Sequence, residues 1–167
     1  MRFAAILLLA LLLPALAWAY QPQDWNDNGI EWQSYEAGLD LAQKTHKPIC
    51  LVLSAVWCPH CRNYAKVFSD PRVVEESRHF VMIRVDIDQR HDVNIKFRPD
   101  GGYVPRTFFL SPDGVLDPSL IAEEKKGQKY TYFYDESDAV SILTGMNRAL
   151  EKFRTDPSAP ASAFPPQ

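Results

Sequence analysis

Two cysteines separated by two residues constrain this chain more than any other feature. They lie in Ala55-Val56-Trp57-Cys58-Pro59-His60-Cys61, just after the apolar run Pro48 to Val56 and at the start of a helical pattern. Thiols placed where a strand turns into a helix suit thiol–disulfide exchange. A crosslink closing so short a loop takes little entropy from the unfolded chain, so the pair reads as catalytic rather than structural. The third cysteine, Cys50, falls early in the apolar run and is expected as a small buried core residue.

The N-terminus points to a compartment where disulfides persist. Arg2 is basic, Phe3 to Leu13 is apolar, Pro14 breaks the run, and Ala17-Trp18-Ala19 has the small-x-small cleavage pattern. A signal peptide over residues 1–19 is expected, cut after Ala19. An anchor would call for an uninterrupted apolar span of about 20 residues. The mature protein is therefore expected to be periplasmic or secreted, with no stable membrane insertion. Cleavage removes one base, Arg2, and no acid, so the net charge moves from −3 to −4. No basic run is present, which argues against nucleic acid and anionic membrane surfaces as partners. With 167 residues, a single domain and a monomer are expected.

Along the chain, residues 20–30 read as an irregular lead-in in which Trp25 is a packing residue. A helix is expected from Ser34, its N-cap, to Thr45, with Tyr35, Leu39, Leu41 and Ala42 on its apolar face. Ile49 to Val56 is nearly continuous in apolar character and reads as a strand buried on both faces. The helix from Cys58 to Val67 turns Cys61, Ala65 and Phe68 inward and leaves Arg62, Asn63 and Lys66 to solvent. Pro71, capped by Ser69 or Asp70, starts a further helical piece to Arg78 that carries Val73 and Val74. Phe80 to Asp86 reads as a strand, with Asp86 and Asp88 solvated at its end. Residues 87–104 read as a polar loop and Arg106 to Leu110 as a strand. Ser111-Pro112-Asp113-Gly114 is a type I turn leading into a return strand at Val115-Leu116. In 117–135, Tyr130, Tyr132, Phe133 and Tyr134 stand beside Lys125, Lys126 and Lys129. Local packing is expected for these rings; a docking surface for substrate polypeptide is the alternative. A last helix is expected from Ser137 to Arg154, with Val140, Leu143, Met146 (or Asn147) and Leu150 inward. The Pro-rich tail, 155–167, is expected to be disordered. The fold class is α/β, a central mixed sheet with helices on both faces.

In that setting Cys58 sits at a helix N-terminus, where unpaired N–H groups favour a thiolate. It is expected as the more exposed thiol and the nucleophile, with Cys61 resolving the mixed disulfide. His60, between them, is expected to support the thiolate and make the disulfide a stronger oxidant. His46, His79 and His91 lack metal-ligand spacing and are expected at the surface. A closed zinc site needs four ligands, and no second pair joins Cys58, His60 and Cys61, so neither metal nor cofactor is expected.

Trp57-Cys58-Pro59-His60-Cys61 and Val104-Pro105, in this order of elements, resemble the thioredoxin superfamily over about residues 30–153. The resemblance implies a thioredoxin-like fold over 31–154 and thiol:disulfide oxidoreductase activity. It implies a cis Pro105 facing the cysteines, with Trp57, Val104 and Pro105 binding an extended substrate. Asp100-Gly101-Gly102-Tyr103-Val104-Pro105-Arg106 and Tyr132-Phe133-Tyr134 are similar to the small thioredoxins of the endoplasmic reticulum, the branch that includes the anterior gradient proteins. Those usually end in a retention signal of the Lys-Asp-Glu-Leu type, whereas this chain ends Phe164-Pro165-Pro166-Gln167. Cys-Pro-His-Cys is similar to the periplasmic oxidant DsbA, whose helical insertion has no room here, where Cys61 and Pro105 are only 44 residues apart. The acid that thioredoxins carry six residues before the first cysteine is replaced by Val52. The implied partners are cysteine-containing exported proteins and an unidentified redox partner. A partner-binding module that works independently of redox chemistry is the alternative.

Overall fold

The computed structural model describes residues 23–154. The expected signal peptide and Pro-rich tail lie outside the described residues. Four strands form one mixed sheet in the order β1-β3-β2-β4, from Trp32–Gln33 (β1), Ile49–Ser54 (β2), Val81–Asp86 (β3) and Arg106–Leu110 (β4). β1, β3 and β2 run parallel, and β4 is antiparallel to β2. Every residue of β2 is buried, as its apolar run requires of a strand covered on both sides.

Cross-strand register shows which helix covers which face, because residues directly opposite one another share a side of the sheet. Leu51, Ile83 and Phe108 form one row, and Cys50, Met82 and Phe109 form a row on the other side. Helix α1 (Tyr35–Thr45) packs on the first face, where Gly38 lies against Ile83. Helix α5 (Val140–Arg154) packs on the second, where Gly145 lies against Phe109 and Tyr134. Helix α2 (Pro59–Val67) shares that second face, since the Tyr64 hydroxyl meets Thr107 Oγ1 at 2.9 Å and Thr107 alternates with Phe109 in phase. Helix α3 (Pro71–Ser77) begins on the Asp70 carboxylate, which accepts the Arg72 N–H. Trp25 is buried in a cluster with Trp32, Tyr64 and Phe68. Among the described residues no helix is long and apolar enough to cross a membrane.

Several elements differ from the sequence reading. The 87–104 stretch is not all loop: His91–Lys96 forms helix α4, which buries only Val93 and Asn94 and so shows little apolar periodicity. Ser34 stands at the N-cap of α1 but makes no side-chain cap bond. The turn after β4 forms, with the Gly114 N–H donated to Ser111 O, yet the return strand is reduced to a bridge between Leu110 and Leu116. α5 starts at Val140, later than Ser137, and its buried face is Ile142, Gly145, Met146, Ala149, Leu150 and Phe153. Of the expected stripe Met146 and Leu150 are buried and Leu143 packs partly buried against the core, while Val140 is exposed. Close approach to Phe109 and Tyr134 selects small residues on this face, which a search for large apolar side chains overlooks.

The 117–135 segment covers the outer edge of β4. The Thr107 N–H is donated to Tyr132 O and the Ala122 N–H to Thr131 O, which occupies an edge that would otherwise be open to pairing. Tyr132 packs on Phe108 and Tyr134 on Phe109, both rings buried, while Tyr130 is exposed. A Cβ on Gly38 would lie 2.4 Å from Ile83 Cγ1 and Cδ1. Gly38→Ala is therefore expected to destabilise the protein by roughly 1–3 kcal/mol through overpacking. Adding Ile83→Val should recover part of the loss. Urea midpoints measure both, and an unchanged midpoint for Gly38→Ala would contradict this packing.

Candidate active site

The strand-to-helix junction places both cysteines. β2 ends at Ser54, and the Cys58 N–H is donated to Ala55 O at 3.1 Å. Cys58 is the N-cap of α2 and Pro59 its first residue, where a missing N–H costs no helical bond. The cap acceptor is the sulfur itself: the Cys61 N–H is donated to Cys58 Sγ at 3.2 Å. On its other side Cys58 Sγ donates to Val104 O at 3.6 Å, across the cis Val104–Pro105 bond. The implied cis proline is thus present and faces the thiols. Pro105 is buried, and Val104 is partly exposed with its carbonyl turned to the sulfur.

Cys58 is the more exposed thiol only marginally, at 3% against none for Cys61. Burial, reinforced by the hydrogen bond and charge of Cys58 and by the charge of Glu136, pushes the Cys61 thiol well above the ordinary range. Burial alone does the same to Cys50, which has no exposed surface. Val52 is also fully buried on the face that α2 covers, so apolar packing occupies the position of the usual acid. The nearby Tyr64 phenol is raised by burial, with the Thr107 hydrogen bond opposing.

Trp57 is 62% exposed, and its indole N–H is donated to Asp88 Oδ2 at 2.7 Å. Asp88, expected as merely solvated, orients the ring. His60 is also exposed, and the polar contact given to its ring is with Glu136, 2.9 Å from Nδ1 to Oε2. Asn63, expected to be solvated, donates to the same carboxylate at 3.3 Å. The Phe133 ring meets His60 edge-on at 5.8 Å. His46, His79 and His91 are exposed.

Three further supports are not read from the sequence. Gln23 Nε2 donates to Ala55 O at 2.8 Å and Val56 O at 3.2 Å, fastening the motif loop to the lead-in. Arg106 is fully buried directly after Pro105, and its guanidinium donates to Phe97 O, Gly101 O and Asn94 Oδ1. Burial pulls it down to about 10. Asp100 Oδ2 accepts from the Tyr103 hydroxyl and from the Thr131 N–H and O–H, which ties the loop before Val104 to the edge-covering segment. Among the described residues no group of three or more His, Cys, Asp or Glu side chains is arranged to hold a metal.

A sheet covered on both faces, a dithiol at a helix N-terminus and a cis proline beside it define the class of thioredoxin-like oxidoreductases. A family model described as thioredoxin-like matches residues 31–112. Anterior gradient protein 2-B of Xenopus laevis is 31% identical over 137 residues, covering 79% of this chain and 77% of the relative. The Homo sapiens anterior gradient protein 2 homolog is 29% identical over 136 residues, covering 79% and 73%. The chain belongs to the thioredoxin-like family and is a relative of the anterior gradient proteins. Two solved structures share the fold. A thioredoxin from Thermus thermophilus has a TM-score of 0.58 at 21% identity, over 75% of this chain and 90% of its own. DsbH oxidoreductase has a TM-score of 0.55 at 17% identity, over 73% and 85%.

The burial difference predicts selective alkylation. A brief pulse of iodoacetamide at pH 8 should modify Cys58 first in the native protein, and all three cysteines in urea; peptide mass mapping reads this out. Early labelling of Cys61 or Cys50 would contradict the assignment. Unfolding returns Cys50 and Cys61 toward the ordinary thiol value of 9.0, so the unfolded chain loses these protons first. Stability should then fall as the pH rises past about 9, and Cys50→Val should flatten that fall in urea titrations.

Proposed function

We propose that this chain is an exported thiol–disulfide oxidoreductase that exchanges disulfides with cysteines of other exported proteins. The observation that carries the reading is the two-sided contact of Cys58 Sγ, with the Cys61 N–H at 3.2 Å and Val104 O at 3.6 Å. It sets the dithiol against a backbone carbonyl that an extended substrate can share. The signal-like pattern over residues 1–19 supports export. Trp57, Val104 and Pro105 make up the docking surface, and the chain works as a monomer.

In the oxidising direction a substrate thiolate attacks Cys58 Sγ of the Cys58–Cys61 disulfide, and Cys61 leaves as a thiolate and takes up a proton. The second substrate thiolate attacks its partner sulfur in the mixed disulfide and releases Cys58. Two electrons and two protons pass from the substrate dithiol to the pair. The reverse order reduces a substrate disulfide, with Cys58 attacking and Cys61 resolving. A second redox partner resets the pair. The inward packing of Tyr132 and Tyr134 takes two of the four rings of the 130–134 segment away from the redox-independent binding reading, which is why we favour exchange.

Replacing Cys61 with Ala should trap mixed disulfides through Cys58 with exported proteins. These species should vanish on reduction and be absent when Cys58 is also changed to Ser. Non-reducing electrophoresis with mass spectrometry identifies them. The reading fails if no species is trapped and the purified wild type neither oxidises nor reduces a protein substrate.

A further inference from the structure

Glu136 is the carboxylate that meets the motif helix on both sides of Cys61. Its oxygens lie 2.9 and 3.0 Å from His60 Nδ1, one residue before Cys61, and 3.3 Å from Asn63 Nδ2, two residues after it. The turn that presents it is fixed by Asp135, whose carboxylate accepts the Ser137 N–H and O–H, and by Asp138, which accepts the Val140 N–H at the start of α5. The Phe133 ring closes over the imidazole edge-on, with Lys125 Nζ 5.8 Å from that ring. Sequence distance hides the arrangement, since 76 residues separate His60 from Glu136.

A lone imidazolium beside a dithiol stabilises the thiolate of the reduced form and makes the disulfide a stronger oxidant. A carboxylate bonded to the same ring changes that field. The two charges then act on the sulfurs as a dipole, and the opposing Coulomb terms partly cancel. We infer that Glu136 is a positioning residue that works through His60, holding the imidazole on its own carboxylate and offsetting the positive charge His60 brings to the dithiol. Glu136 thereby makes the pair less oxidising than Cys-Pro-His-Cys alone would. The inference rests on the proposed exchange activity of Cys58 and Cys61 and names what sets its driving force.

The test is the equilibrium in which the protein disulfide and two glutathione molecules give the protein dithiol and one glutathione disulfide. It is measured at pH 7, where the thiolate on which these charges act is more populated than in acid. Wild type, Glu136→Gln, His60→Ala and the double variant are compared. Glutamine keeps a hydrogen-bond acceptor for the ring and removes the charge. Glu136→Gln should move the constant toward the dithiol by about threefold or more. In the His60→Ala background the same change should move it by less than half as much on a logarithmic scale. Urea midpoints check the fold, and Glu136→Ala carries the same expectation if the Gln variant does not fold. An unmoved constant, a shift toward the disulfide, or equal shifts in both backgrounds would overturn the inference while leaving the exchange activity standing. A wild-type pair that never equilibrates with glutathione would overturn both.

Discussion

The sulfur of Cys58 is held from two directions, by the first turn of α2 and by the carbonyl before Pro105. That contact spans two parts of the chain that the sheet brings side by side, since Leu53 near the end of β2 pairs with Arg106 at the start of β4. One is the end of β2, a wholly buried strand, whose apolar run fixes where α2 must start. The other is the loop entering β4, the antiparallel edge strand. The dithiol has its geometry only while both stay in place, so much of the surrounding structure acts to hold the two ends.

Polar groups under the loop do much of that holding. Arg106 is a fully buried cation, ordinarily a costly placement. Its acceptors come from Asn94, Phe97 and Gly101, all in the stretch that leads to Val104, and the Tyr103 ring lies beneath it at 5.8 Å. Asp100 binds the same loop to Thr131. A buried network with most of its partners in place favours one arrangement of the loop, because any alternative strands charged groups out of water. On the other side Gln23 serves the motif loop in the same way.

What the sequence reveals follows from the range of the interactions involved. β2 and the motif are legible because a continuous apolar run followed by Cys-Pro is a local signal. Tyr64 is not, because its partner Thr107 is 43 residues away and its ring reads equally well as exposed. α5 and part of its buried face, Met146 and Leu150, are legible; Gly145 and Ala149 are not, because they face the core through closeness of approach rather than through size. α4 is hidden by its polar composition, and β1 by having two residues. Gln23, Asp88 and Glu136 orient the motif from 32, 31 and 76 residues away, so nothing near them in the chain marks them. The cis isomer of Pro105 follows from the resemblance, since Val104-Pro105 alone does not specify it.

Cys58 and Cys61 are proposed as a redox couple beside His60, with the apolar Val52 in place of an acid beneath. The most direct measurement is the reduction potential of the wild-type pair. A reversible two-electron transition at a potential above the roughly −270 mV of thioredoxin is expected. A pair that stays a dithiol under oxidising conditions, or a potential at or below that value, would contradict it.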